Sequence, residues 1–407
     1  MVRKNCTNPV PSVDIEKMIF KIRAKYMDDY LDIPYIWYSL VSDDGQKKED
    51  YIEKSEDGWF YIETKIEKSG FVYIKARACD ENKEFIEEID DYNGSAGADV
   101  LSILRATKMP SDYNKFWDDM KKQVEETEPE VLFEKEIKDE KHPGFKMMDM
   151  RIKAPGSEYV SVSVAYPIDA QKGSLKFAMF FQGYGVNQTL PKPLKDYFTV
   201  FVDAHCMPNG ESEEFYANMR DNVLKGYGFN AEENKKPETT YWAKMLLRNL
   251  QALRYFKDHE LLNKKDYMFI GSSQGGMQAC NMAAHFEKAS AVILNVPWMA
   301  DTSADLLIGR RPNSMPKGDG IAYFDTAVAA EHLNCPAYII SGLGDPTCNS
   351  ATQMALFNSI KSRKYIEFYQ NKTHSFTIPW DNNMYALGNS ELVDEFKEHT
   401  VAYYDWN

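Results

Sequence analysis

The first 105 residues alternate between apolar and polar positions in short runs separated by turn residues. An alternation with a period of two places successive side chains on opposite faces of a strand. Four segments carry this pattern: 16–26, 35–41, 58–64 and 71–77. Strands this short and this closely spaced predict a small all-β sandwich, Ig-like, over residues 1–105. The glycine-rich segment 93–98 then breaks the pattern of strands.

The next pattern has the spacing of a helix. After Pro110, apolar residues recur every three or four positions on one predicted face: Tyr113, Phe116, Trp117, Met120 and Val124. This spacing predicts a helix to about residue 126 that packs its apolar face on a core, and Ser111 is the expected N-cap. Residues 106–130 are therefore interpreted as a linker and a capping helix.

From about residue 131 onward, apolar strand-like runs alternate with helical patterns. Strands are predicted at 160–164, 177–181, 198–202, 267–270, 291–294, 337–341 and 365–369, with a long helix over 238–258. Several runs are almost continuously apolar, as is typical of parallel strands buried on both faces. Residues 131–407 thus predict an α/β domain with a mostly parallel sheet and helices on both faces. The segment 205–240 is long for a connection, and such insertions often form the rim of an active site.

Composition narrows the classes of partner and cofactor. The net charge of −14 would repel nucleic acid and anionic membranes, so we expect neither as a partner. The six cysteines have no metal-site spacing, which predicts no metal and no cofactor. The residues after Met1 carry no apolar stretch of the kind found in signal peptides. We therefore expect a cytoplasmic location, or secretion if a leader has been removed.

One motif indicates nucleophilic catalysis. Gly271, Ser273 and Gly275 form G-x-S-x-G directly after a predicted strand and before a predicted helix. This is the pattern of a nucleophile elbow, which raises the serine hydroxyl above the sheet. The same turn aims the backbone N–H of the next residue, Gln274, at a developing oxyanion. A plain glycine–serine turn is the alternative.

A nucleophilic serine needs a histidine base and an acid that orients it. In α/β-hydrolases these residues follow in the order serine, acid, histidine, on loops after later strands. Asp345 follows the strand 337–341, and His374 follows the strand 365–369. We expect a catalytic triad of Ser273, Asp345 and His374. Asp345 as a simple turn residue remains the alternative, and His205, after the strand 198–202, competes with His374 or lines the substrate pocket.

Two further residues complete the expected site. Tyr184 lies in a glycine loop after the strand 177–181, where the second oxyanion N–H arises in such a sheet. We assign the Tyr184 backbone N–H to that role together with Gln274. Trp298 comes just after the strand 291–294, and we expect it to form a wall of the acyl pocket.

With these residues placed, the chain resembles carbohydrate esterase family seven, the acetyl xylan esterase and cephalosporin C deacetylase group. The resemblance covers residues 110–407 and rests on the S-Q-G-G elbow at 273–276, the glycine loop at 181–185, Asp345 with Cys348 three residues on, and the helix at 112–117. Segment 94–100 is similar to the junction in members that carry an N-terminal β-sandwich. Two positions depart from the family: 203–206 lacks its Arg-Gly pair, and Ser375 replaces its glutamate.

The resemblance implies the α/β-hydrolase fold and a serine esterase that removes acetyl groups from sugars or oligosaccharides. It also implies a homo-oligomer, because family members are often rings, although the added domain could block that packing. The alternatives are a general carboxylesterase, a serine peptidase of the prolyl-oligopeptidase kind, and a non-catalytic relic that binds glycan. We expect the N-terminal sandwich to contribute nothing to the chemistry.

Overall fold

The computed structural model describes residues 17–26, 29–304, 315–376 and 399–404. Three small antiparallel sheets form the N-terminal part. In one, β1 (Met18–Ile22) pairs with β6 (Phe60–Thr64). A second holds the short strands β2 (Lys25–Tyr26) and β3 (Asp29–Tyr30). The third has the order β5–β4–β7–β8, with β4 at Tyr35–Ser42, β5 at Lys47–Glu53, β7 at Gly70–Cys79 and β8 at Tyr92–Ala98.

The two larger of these sheets face each other across one apolar core. Phe20 from β1, Ile36 from β4, Phe60 and Ile62 from β6 and Ile74 from β7 are all buried in it. The alternation of apolar and polar positions predicted these four strands. It did not predict β5, whose residues are almost all exposed and charged, so that no apolar face marks it.

The prediction that segment 93–98 ends the strand pattern was wrong. These residues form most of β8, which pairs antiparallel with β7 and is one of the two edge strands of its sheet. Its glycines are required by close packing, since a Cβ on Gly97 would lie 2.4 Å from Val100 Cγ1. A strand built from small residues was therefore mistaken for a break.

The helix α1 spans Tyr113–Glu126, and the five apolar residues of its predicted face are all buried. Its N-cap is Asp112 and not the predicted Ser111, because residues 111 and 112 form a turn before the helix starts. The long helix predicted over 238–258 is α3, Tyr241–Phe256. It starts later than predicted because Pro237–Thr239 form a 3-10 turn and the Thr240 side chain caps the helix.

The rest of the chain is organised around a ten-stranded sheet with the order β18–β17–β16–β15–β14–β12–β13–β11–β10–β9. Strands β12 to β18 pair in parallel, whereas β11, β10 and β9 continue the sheet antiparallel beyond β13. Their bounds are β9 Val131–Glu136, β10 Phe145–Lys153, β11 Tyr159–Pro167, β12 Leu175–Phe181, β13 Tyr197–Val202, β14 Leu262–Ser272, β15 Ala289–Asn295, β16 Ala337–Gly342, β17 Lys364–Tyr369 and β18 His399–Tyr404.

Alternate residues of the central strands bury two separate apolar clusters, one on each face of this sheet. The larger cluster includes side chains of α1, α3 and of α4 (Gln274–Ala284), α5 (Thr326–Ala329) and α6 (Ser350–Ser359). The insertion at 205–240 holds the short helix α2 (Glu213–Asn218). Parallel strands end at the same edge of the sheet, so the loops after β12, β14, β15, β16 and β17 share one rim. Among the described residues, no helix is long and apolar enough to span a lipid bilayer.

Candidate active site

Ser273 is the single residue between β14 and α4, and its backbone is strained. Its φ of 55° and ψ of −119° lie where a residue with a side chain is rarely found. The flanking glycines are required by space. A Cβ on Gly271 would lie 2.0 Å from the carbonyl oxygen of Gly275, and one on Gly275 would lie 2.3 Å from that of Phe181. These contacts define the predicted elbow turn.

Two backbone hydrogen bonds hold the strained residue in place. The Ser273 N–H donates to the Asn295 carbonyl at 2.9 Å, and the Trp298 N–H donates to the Ser273 carbonyl at 3.0 Å. Both partners lie at the end of β15 or just after it. The neighbouring strand therefore opposes relaxation of the elbow into an ordinary turn.

The structure brings the three predicted triad residues together. His374 Nε2 lies 2.9 Å from Ser273 Oγ, and His374 Nδ1 lies 2.8 Å from Asp345 Oδ2. The Asp345 side chain is fully buried, and its Oδ1 accepts hydrogen bonds from the backbone N–H groups of Thr347 at 2.8 Å and Cys348 at 2.9 Å. A carboxylate held this way accepts a hydrogen bond from Nδ1–H, and this keeps the proton on Nδ1 and leaves Nε2 free to accept the serine proton.

The side chain of Cys348 also lies close to Asp345 and His374, with the three sets of ligand atoms within 4.8 Å of one another. Burial, together with the charge of Asp345, raises the pKa of the Cys348 thiol well above its usual range. A protonated thiol is a poor metal ligand. The other two side chains are hydrogen-bonded to each other, so this cluster is interpreted as the triad with a buried thiol beneath it.

The two predicted oxyanion donors lie on neighbouring loops. Gln274 is the first residue of α4, so its N–H has no acceptor within the helix and lies at the positive end of the helix dipole. The loop that carries Tyr184 adjoins the elbow, because a Cβ on Gly183 would lie 3.5 Å from the carbonyl oxygen of Ser272. The Gln274 side chain links the two loops by donating to the Gly183 carbonyl at 3.3 Å.

A residue that the sequence did not single out supports this pair of loops. Tyr227, from the insertion, donates its hydroxyl proton to Gln274 Oε1 at 2.9 Å and accepts from the Gly185 N–H at 3.1 Å. Its ring stacks on Tyr184, with the ring centroids 4.4 Å apart. The insertion was predicted to form part of the rim, but nothing local in the sequence marked the tyrosine that contacts the elbow.

A pocket of about 750 Å³ opens over Ser273. Four of the residues that line it are aromatic: Tyr184, Phe229, Trp298 and Phe376. Five carry polar side chains: Ser272, Ser273, Thr347, His374 and Ser375. Trp298 is almost fully buried, as expected for a wall, whereas Tyr184 is 48% exposed. No residue that lines the pocket within the described ranges is acidic.

The structure places His205 behind the loop after β12 and not among the residues that line this pocket. It is 1% exposed; its Nε2 donates to the Gly185 carbonyl at 2.8 Å, and its Nδ1 accepts from the Tyr241 hydroxyl at 2.6 Å. Burial lowers the pKa of His205 to about 4, which keeps the ring neutral and fits this pattern of one donor and one acceptor. His205 therefore supports the oxyanion loop from behind.

The chain matches a known protein family over most of its length. The family profile described as "Acetyl xylan esterase (AXE1)" matches residues 100–310 and 316–387. A curated relative, the acetyl esterase Axe7A of Xylanibacter ruminicola, is 22% identical over 281 residues, which are 63% of this chain. The matched part spans only 62% of the length of that relative.

Two solved structures share the fold. The acetyl xylan esterase from Paenibacillus sp. R4 superimposes with a TM-score of 0.59 at 16% sequence identity, over 73% of this chain and 98% of that one. Acetyl xylan esterase 1 from Thermoanaerobacterium sp. JW/SL YS485 gives a TM-score of 0.57 at 15% identity, with the same coverage. These likenesses establish the α/β-hydrolase fold, and the profile match over most of the chain establishes the family. The chain belongs to the acetyl xylan esterase family.

Proposed function

We propose that this protein is a serine esterase that removes acetyl groups from sugars or oligosaccharides. The observation that carries the proposal is the chain of hydrogen bonds from Ser273 Oγ through His374 to the buried carboxylate of Asp345. Family membership supports acetyl esters as the substrate class. The homo-oligomer that the resemblance implies remains a prediction.

The proposed reaction has two halves, and His374 acts first as base and then as acid in each half. His374 Nε2 takes the proton of Ser273 as Oγ attacks the acetyl carbonyl carbon, and Asp345 stabilises the imidazolium that forms. The N–H groups of Tyr184 and Gln274 donate to the oxyanion. The C–O bond to the sugar breaks, and the sugar oxygen takes the proton from His374. Water then attacks the acetyl-serine carbonyl carbon with His374 again as base. The bond from that carbon to Ser273 Oγ breaks, Oγ takes the proton back from His374, and acetic acid leaves and ionises to acetate.

The shape and chemistry of the pocket favour a small acyl group on a neutral alcohol. Trp298 and Tyr184 approach each other edge to face, with the ring centroids 6.4 Å apart, beside the nucleophile. Tyr184 and Phe229, 48% and 38% exposed, offer ring surface at the mouth of the pocket. Aromatic rings of this kind can pack against the apolar face of a pyranose ring.

The peptidase alternative requires acidic side chains that bind the amino terminus of a peptide. The acidic residues of the insertion that could do so, Glu211, Glu213 and Glu214, are exposed. None of them is among the residues that line the pocket. A general carboxylesterase stays open as the second candidate, and the dependence of turnover on acyl length separates it from an acetyl esterase.

Ser273→Ala tests the proposal directly. Turnover of p-nitrophenyl acetate and of acetylated xylo-oligosaccharides should fall by about 10⁶-fold, toward the residual rate that oxyanion donors and binding supply. The thermal midpoint should not fall, since no core contact is lost. Ser174→Ala is the control, because that exposed hydroxyl donates to the Gln171 carbonyl far from the pocket. Substantial turnover in Ser273→Ala, or fluorophosphonate labelling at Ser272, would contradict the assignment.

A further inference from the structure

One edge strand of the N-terminal sandwich, β8, lies directly against the hydrolase domain. An edge strand presents backbone N–H and C=O groups that need partners. On β8, the Asn93 N–H donates to Asn371 Oδ1 at 3.1 Å, and the Ser95 carbonyl accepts from Gln370 Nε2 at 2.8 Å. Tyr92 adds a hydroxyl bond to Gln370 Oε1 at 3.2 Å. Side chains of the hydrolase domain thus bind the open edge of the sandwich.

Those side chains belong to the loop that carries the triad histidine. Gln370 and Asn371 are the first residues after β17, and His374 follows three positions later. Asn371 has a φ of 53°, which fixes a sharp change of chain direction at this point. The backbone of β8 therefore holds the start of the histidine loop.

The same strand also contacts the loop of the triad aspartate. A Cβ on Gly344 would lie 2.2 Å from the carbonyl oxygen of Asn93, so the two backbones touch immediately before Asp345. The Gly344 N–H donates to the Lys372 carbonyl at 3.0 Å, which joins the aspartate loop to the histidine loop. Asn93 thus lies at the point where both loops meet.

A second group of contacts holds the far end of the aspartate loop. The Tyr73 hydroxyl, from β7, accepts from the Ala351 N–H at 3.2 Å and lies 3.4 Å from Asn349 Oδ1. Ser95 Oγ lies 3.1 Å from Ser350 Oγ in a buried contact. These residues form the start of α6, where the Asn349 side chain caps the helix. The sandwich therefore contacts the chain on both sides of the turn that contains Asp345.

We propose that the N-terminal sandwich positions the aspartate and the histidine of the triad, with Tyr73 and the backbone of Asn93 as its main contacts. The inference rests on the proposed function of Ser273, Asp345 and His374. It replaces the expectation that the sandwich contributes nothing to the chemistry. The family profile begins at residue 100, so this support comes from a part of the chain outside the match.

The physical reason is geometric. Asp345 acts through His374, and the imidazole must keep its Nε2 directed at Ser273 Oγ while it takes and returns a proton. A misplacement of about 1 Å in such a group can cost about 10²-fold in rate. Tyr184, Phe229 and Trp298, which form the other aromatic walls of the pocket, lie outside the two loops that the sandwich contacts. Loss of these contacts should therefore lower kcat far more than it raises KM.

The Asn371 pair of variants tests the histidine loop in the full chain. Asn371→Gly keeps a residue that accepts positive φ but removes the acceptor for the Asn93 N–H. Asn371→Asp keeps a residue that tolerates positive φ and also keeps an oxygen that accepts from the Asn93 N–H. We expect kcat on p-nitrophenyl acetate to fall about tenfold in the glycine variant, with KM within about twofold, and to stay near the parent value in the aspartate variant. Equal kcat values in both variants would overturn this part of the proposal.

Tyr73→Phe tests the aspartate loop through a double-mutant cycle. It should lower kcat about tenfold in the parent chain and have almost no effect in the Asp345→Asn background, because it acts through that carboxylate. The rate of fluorophosphonate labelling of Ser273 should fall in parallel. A general loss of folded protein would lower the activity of both backgrounds equally and would overturn the proposal.

Gly344→Ala supplies the most direct perturbation, because the added methyl group meets the Asn93 carbonyl. We expect a loss of about 10²-fold in kcat. Gly144→Ala is the matched control, since a Cβ there meets nothing within 4 Å. If Gly344→Ala does not fold, the Asn371 and Tyr73 variants test whether the sandwich positions the triad loops. Ser273→Ala separates the two hypotheses: if it keeps activity, the proposed function fails, whereas inactivity of Ser273→Ala with unchanged kcat in the sandwich-contact variants overturns the positioning role alone.

Discussion

Tyr227→Phe is the substitution that probes the oxyanion loop most selectively. The ring of Tyr227 is 7% exposed, stacked on Tyr184 and edge-on to His205, and all of these ring contacts survive in phenylalanine. Only the hydroxyl is removed, and with it the bridge between Gln274 Oε1 and the Gly185 N–H. Any effect therefore reports on two hydrogen bonds that join the elbow helix to the loop carrying an oxyanion donor.

The magnitude follows from the two partners that lose their bonds. A buried donor or acceptor left without a partner costs about 1–3 kcal/mol, so two of them cost about 2–4 kcal/mol after some relaxation. That loss corresponds to a fall of roughly 4–16 °C in the thermal midpoint of a domain of this size. Complete loss of one oxyanion donor costs about 10²–10³-fold in kcat. A loosened loop should cost less, about tenfold.

Thermal unfolding and steady-state hydrolysis of p-nitrophenyl acetate measure both effects. Tyr61→Phe is the matched control, because its hydroxyl donates at 2.6 Å to Asp57 on the protein surface. The control should change stability by less than about 0.5 kcal/mol and leave kcat unchanged. An unchanged midpoint in Tyr227→Phe would refute the bridging role, and a midpoint loss with full kcat would separate the bridge from the oxyanion site.

Three further outcomes are expected. His374→Ala and Asp345→Asn should each lower kcat, and the double variant should be barely worse than His374→Ala, because triad residues act as a unit; losses that multiply would place Asp345 in another role. Turnover of p-nitrophenyl esters should fall from acetyl to butyryl to octanoyl, and Trp298→Ala should raise the butyryl rate relative to the acetyl rate; a parent chain that prefers the octanoyl ester would indicate a general carboxylesterase. Burial lowers the pKa of His205 to about 4, so below pH ~6.5 the unfolded chain binds a proton that the folded chain excludes. The free energy of unfolding, measured by denaturant titration, should therefore decrease as the pH falls from about 6.5 toward 4, and His205→Gln should flatten that decrease. The same pH dependence in the parent chain and in His205→Gln would contradict this prediction.

The parts of the candidate site that depend on short sequence motifs or on chain order could be predicted from the sequence. The elbow needs glycines two residues on either side of Ser273, and that requirement is visible in the sequence. Asp345 and His374 were placed by chain order and by the strands before them. Oxyanion donors are backbone groups whose positions follow from the fold, so Tyr184 and Gln274 could be proposed without knowledge of any side-chain contact.

The parts of the site that could not be predicted from the sequence depend on contacts between residues far apart in the chain. Tyr227 is hydrogen-bonded to Gln274, which lies 47 positions away in the sequence, and Tyr73 is hydrogen-bonded to Ala351, which lies 278 positions away. His205 has the local sequence of a pocket residue, yet burial behind the loop after β12 decides its role. Gly94 looks like a chain breaker in the sequence because the atom that a Cβ there would meet first, Gln370 Oε1 at 2.3 Å, lies 276 positions along the chain.

The strained backbone at Ser273 has a consequence for how such an enzyme could be improved. Its φ of 55° suits glycine, so Ser273→Gly relieves strain on the order of 1–3 kcal/mol, against about 1 kcal/mol from the added freedom of the unfolded chain. A selection scheme that scores only resistance to heat would therefore enrich clones that have lost the proposed nucleophile. Directed evolution of this scaffold has to screen each generation for turnover as well as for resistance to heat, because at position 273 selection for stability opposes selection for activity.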